Sequence, residues 1–78
     1  VADDATRAFA RSLYRLRTAQ GRTQKQLAAA AGVSQRAVSY IEAGRAPALP
    51  TAQALATALG TTVTAMITEA DPGPGGTR

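Results

Sequence analysis

Residues 22–44, RTQKQLAAAAGVSQRAVSYIEAG, confine this chain to two short helices joined by a tight turn. Thr23 and Gln26 stand three residues apart, the T-x-x-Q spacing of a capping box, so a helix opens at this point. Leu27, Ala28 and Ala31 supply its apolar stripe. Gly32 ends it, because a left-handed backbone costs glycine nothing. Ser34 then caps a second helix, which runs to Gly44.

The surrounding segments are helical too. Phe9, Leu13 and Leu16 recur at i, i+4, i+7 within a helix expected over 5–20, closed by Gly21. The next two helices are expected over about Gln24–Ala31 and Gln35–Ala43. Residues 44–50, GRAPALP, form a loop, since two prolines and a glycine forbid a continuous helix. Thr51 is expected to cap a fourth helix carrying Leu55 and Leu59, closed by Gly60. Thr62 caps a short fifth through Val63, Met66 and Ile67. Residues 1–4 are a flank, 5–70 the domain, and 71–78, DPGPGGTR, a Pro/Gly tail expected to be disordered. No strand alternation or internal repeat is visible.

Turning each helix by about 100° per residue separates inside from outside. Arg7, Arg11 and Arg15 form one outward ridge, which reads as solvated surface rather than as a contact. Arg17 falls about 40° from Leu13 and faces inward. Glu42 falls about 40° from Val38 and faces inward as well. A buried charge without a partner costs several kcal/mol, so these two should pair.

Charge is unevenly spread. Residues 7–45 hold eight cations against Glu42 alone, whereas the 78-residue chain has a net charge of only +4. A basic helical surface suits a polyanion. The chain has no cysteine and no histidine, so disulfides and the usual zinc sites are excluded. No apolar run approaches the ~18–20 residues of a bilayer span, and no signal peptide is visible. With five carboxylates and no phosphate-loop motif, nothing suggests an enzyme, a catalytic residue, a metal or a cofactor.

The ordered series Leu16-Arg17, Gly21, Thr23-Gln24, Leu27-Ala28, Ala31 to Gln35, Val38-Ser39, Ile41-Glu42, Gly44-Arg45, Leu55-Ala56 and Ala58 to Gly60 resembles the phage-repressor and Cro-like helix-turn-helix family. The resemblance spans roughly residues 9–68. It implies an all-α, compact five-helix bundle of the lambda-repressor-like kind, with the helix-turn-helix at the second and third helices. It also implies a DNA-binding transcription regulator of the cytoplasm, nucleoid-associated and usually bacterial or phage. Family members commonly carry an Arg–Glu bridge at the positions of Arg17 and Glu42. The sequence departs from the family at Thr61, usually valine, and at Ala43, often asparagine or arginine.

Within that frame the third helix presents Gln35, Arg36, Ser39 and Tyr40 to base edges in the major groove. Glutamine can hold adenine and arginine can hold guanine through paired hydrogen bonds. Tyr40 can offer its hydroxyl to a phosphate or its ring to a thymine methyl, although an exposed tyrosine is as often a protein contact. Gln24, beside the free N–H groups of the second helix, suits a phosphate, as do Arg22, Lys25 and Arg45. The leading reading is a repressor acting by occupancy, as a homodimer on a palindromic operator. The alternative is an antitoxin or other interaction module of the same fold, with a toxin or a fused effector domain as protein partner.

Overall fold

A computed structural model describes residues 3–70 of the chain. Among them the secondary structure is wholly helical: α1 Asp4–Ala19, α2 Gln24–Ala31, α3 Gln35–Glu42, α4 Leu49–Ala58 and α5 Val63–Ala70. The expected bundle of five helices is therefore present. The tail expected at 71–78 lies outside the described residues.

Local chemistry sets most boundaries. The Asp3 carboxylate accepts from the Thr6 N–H at 2.8 Å, so α1 begins a residue before the expected start. This hydrogen bond holds the Asp3 carboxyl below its ordinary pKa range. Thr23 and Gln26 exchange hydrogen bonds of 3.0 and 2.9 Å and complete the capping box of α2. The Ser34 hydroxyl accepts from Ala37 N–H at 3.0 Å and opens α3. Thr62 does the same for α5 through Ala65 N–H at 3.1 Å.

The fourth helix corrects the expectation. It starts at Leu49, inside the segment read as a loop, with Ala48 at the cap position and no side-chain cap. Thr51 lies within the helix and does not cap it. Pro50 occupies the first turn, where its missing N–H has no intrahelical carbonyl to lose. A proline so close to the start is no barrier to the helix that follows.

Phe9 and Leu13 of α1 meet Leu27 and Ala28 of α2, Val38 and Ile41 of α3, Ala52, Leu55 and Ala56 of α4, Leu59 just past its end, and Met66 of α5 in one core. Leu16, Ala31 and Ile67, expected inside, are partly buried at its edge. The small residues Ala8, Ala10, Ala52 and Ala56 are buried where helices approach closely. Ser12, fully buried, donates its hydroxyl to the Met66 carbonyl and ties α1 to α5. That bond gives α5 a fixed seat despite the departure at Thr61.

Candidate nucleic-acid interface

The interface begins at the turn between α2 and α3. Gly32 has φ +73, and Val33 N–H bonds back to the Ala28 carbonyl at 3.0 Å. A non-glycine residue would be strained in that geometry. The turn leaves α3 anchored by Val38 and Ile41, which are 0% and 4% exposed. Gln35, Arg36, Ser39 and Tyr40 are all exposed on the other side. None of the four belongs to the core.

Two cations gather on Tyr40. Arg36, one turn earlier, places its guanidinium carbon 5.8 Å from the ring centroid. Arg45 places its own at 5.3 Å. Gly44, with φ +109, lets the chain reverse at the end of α3, and Arg45 N–H then bonds to the Tyr40 carbonyl at 3.0 Å. Tyr40 thus stands between two arginines to which sequence reasoning gives separate roles. The i, i+4 spacing of Arg36 and Tyr40 carries half of that signal. The reversal at Gly44 carries the other half and is visible only in three dimensions.

Below this surface lies the ion pair. Arg17 Nε donates to Glu42 Oε2 at 2.6 Å and Nη2 to Oε1 at 3.0 Å, a two-pronged contact. The side chains are only 11% and 8% exposed. The hydrogen bond to Glu42 raises the Arg17 pKa above its ordinary value, against the opposing effect of burial. Arg17 Nη1 also donates to the Arg22 carbonyl at 2.8 Å, which fixes the α1–α2 loop.

Glu42 has a further partner that sequence reasoning missed. Gln24 Nε2 donates to Glu42 Oε1 at 3.0 Å. A carboxylate can only accept, so the amide of Gln24 turns its NH2 toward Glu42. One of its N–H groups and its carbonyl remain. The side chain read as a phosphate contact is therefore already held by the ion pair. The backbone N–H groups of Gln24 and Lys25, in the first turn of α2, have no intrahelical acceptor. They suit an anion.

Arg22 also departs from its expected place. It is half-buried, and its Nη1 donates to the Ala58 carbonyl at 2.9 Å. Gln20 Nε2 donates to the Leu59 carbonyl at 2.9 Å. Together they cap the C-terminal end of α4, where carbonyls lack intrahelical partners. Arg22 is thus committed to the fold. Lys25 and Arg45 remain exposed, with no ion-pair partner among the described residues.

A family model described as helix-turn-helix, of the Cro/C1 type, matches residues 13–65. No curated protein and no solved structure matches the chain. No helix of the described residues is long and apolar enough to cross a membrane. The match covers more than half of the sequence, from α1 into α5, and takes in both helices and the turn between them. The chain therefore belongs to the Cro/C1-type helix-turn-helix family of DNA-binding transcription regulators.

Proposed function

We propose that this domain is a repressor that reads an operator half-site with α3 and acts by occupying it. One observation carries the reading. Gln35, Arg36, Ser39 and Tyr40 form an exposed polar face on a helix whose other face is anchored in the core. Side chains with no packing duty are free to meet base edges. Gln35 and Arg36 stand at the start of α3, the end that this motif points into the major groove. Lys25, Arg45 and the remaining N–H of Gln24 hold phosphates, which fix register and carry no sequence information. Two copies on a symmetric site would set two α3 helices one turn of duplex apart.

Selection from a random duplex pool supplies the operator, and titrations on that duplex and a scrambled one test the roles. Gln35→Ala and Arg36→Ala should each cost roughly 1–3 kcal/mol on the operator and little on scrambled DNA. Arg45→Ala should weaken both by similar factors and lower the log–log salt slope by about one. If the first two variants weakened both duplexes equally, α3 would not be the reading helix. A selected site without two-fold symmetry would remove the dimer.

A further inference from the structure

A groove among the described residues lies away from the outward face of α3. It measures about 590 Å³ and runs between the outward face of α1 and the end of α3. Ala10, Arg11, Tyr14, Arg15, Thr18 and Glu42 line it. We propose that this groove takes the sugar–phosphate backbone of the duplex flanking the half-site, extending the footprint beyond α2 and α3. The proposal rests on the DNA-binding reading above and adds a second surface to it.

Three observations support it. The first is charge. Arg11 and Arg15 are exposed and form no ion pair among the described residues. Arg7, the third member of the ridge, is set apart by its bond to Asp4 at 2.9 Å. The one carboxylate in the lining, Glu42, is already balanced by Arg17. The groove therefore presents two uncompensated guanidiniums, and guanidinium is the side-chain group best shaped for phosphate.

The second is the aromatic floor. Tyr14 lines the groove and is 57% exposed. The Arg17 guanidinium carbon sits 5.4 Å from its centroid and braces it. A tyrosine between arginines offers a hydroxyl to phosphate and an apolar surface to deoxyribose, and phosphate and sugar take most protein–DNA hydrogen bonds.

The third is continuity. Glu42 lines the groove and also accepts from Gln24, in the first turn of α2, at 3.0 Å. A strand whose phosphate rests on the free N–H groups of that turn passes next over the groove. No second anion is needed, because the same polyanion reaches both.

Fluorescence anisotropy tests this with two labelled duplexes of mixed sequence. One spans about one helical turn, and the other is longer by a turn at each end. In Arg11→Gln/Arg15→Gln, the salt slope on the long duplex should fall by about two, at roughly 0.9 per phosphate contact. Across a fourfold rise in salt the variant should thus lose about twelve-fold less affinity than the parent. On the short duplex its slope should match the parent. Arg7→Gln, outside the groove, should match the parent on both. Tyr14→Ala should lose affinity on the long duplex while keeping its slope, since the ring carries no charge.

Equal slope changes on both lengths would reduce the arginines to diffuse attraction and overturn the proposal. So would a double variant that behaves like the parent. Sedimentation of the free protein provides another decisive result. A dimer that dissociates in the double variant would make the groove a contact between copies. A parent that binds neither duplex would defeat the DNA-binding reading itself, and this proposal with it.

Discussion

The Arg17–Glu42 pair is the point at which a single substitution should do most damage. Glu42→Leu leaves a guanidinium that is 11% exposed with no carboxylate, only the Arg22 carbonyl as acceptor and the Tyr14 ring beside it. Removing one partner of a buried pair costs about 3–5 kcal/mol, because the survivor is stranded. At roughly 0.05–0.15 kcal/mol per residue, a chain of 78 residues has a total stability of about 4–12 kcal/mol. The loss is therefore a large share of what holds the domain together. One kcal/mol moves the melting point of a domain this size by about 4–8 °C, so the variant should melt roughly 12–40 °C lower. Arg17→Met should do the same from the other side. The double variant Arg17→Met/Glu42→Leu strands neither charge and should recover much of the loss. Far-UV circular dichroism melts of the four proteins settle the matter. If Glu42→Leu melted within about 4 °C of the parent, the pair would behave like an exposed one worth at most ~1 kcal/mol. A double variant as unstable as the worse single would equally refute the stranding argument. The double variant has a second use: it should fold while lacking the acceptor of Gln24 Nε2. It should therefore bind all DNA sequences more weakly at a temperature where it is fully folded.

Two further outcomes are expected. Asp3 titrates below its ordinary value near 3.8 because the Thr6 N–H bonds to the ionised form. Its contribution to stability is therefore present above about pH 3.8 and fades as pH falls through the lower, folded-state value. In acid melts the parent should lose stability more steeply than Asp3→Asn across that window; parallel curves would remove the cap from the account. Tyr40→Leu removes the ring shared by Arg36 and Arg45, each cation–π pair worth about 0.5–1 kcal/mol at an exposed site. Its melting point should hold, while loss of the Arg36 pair lowers discrimination between operator and scrambled duplex about two- to five-fold, and loss of the Arg45 pair weakens both duplexes by a similar factor; Tyr40→Phe should retain both. Discrimination unchanged in Tyr40→Leu would show that the ring does not hold Arg36.

Wherever a local rule decides, the fold is legible in the sequence. Capping residues fix their own helix ends through bonds three residues long, so Thr23, Ser34 and Thr62 mark three starts correctly. Helical periodicity likewise locates Leu13, Leu27, Val38, Ile41 and Leu55, each almost fully buried. What escapes rests on a weak local signal or on contacts between distant segments. The α4 start is hidden because an uncapped helix with proline in its first turn gives a weak local signal. The commitments of Arg22 to Ala58 and of Gln24 to Glu42 join residues 36 and 18 positions apart. No wheel drawn on one helix can show them. The groove on α1 escapes for the same reason, since one wall belongs to α3.

The anchoring of α3 separates the fold from the choice of DNA. Two apolar side chains three residues apart, Val38 and Ile41, seat the helix in the core. Glu42 adds a polar tether at its last turn through Arg17 and Gln24. Every residue needed to hold α3 thus lies on one narrow stripe. Gln35, Arg36, Ser39 and Tyr40 lie off that stripe, so exchanging them should alter what is read while leaving the core intact. Surface substitutions away from buried groups usually change stability by no more than about 0.5 kcal/mol. On the proposed reading, a small domain with little stability to lose can therefore exchange these four residues freely, provided the stripe is kept. The same tether makes the separation incomplete in one direction. Glu42 holds the side chain of Gln24 at the first turn of α2, the turn proposed to grip phosphate. A disturbance of the ion pair should therefore reach the gripping surface before it reaches the reading one. Loss of grip without loss of sequence preference is the signature that distinguishes damage to the tether from damage to α3.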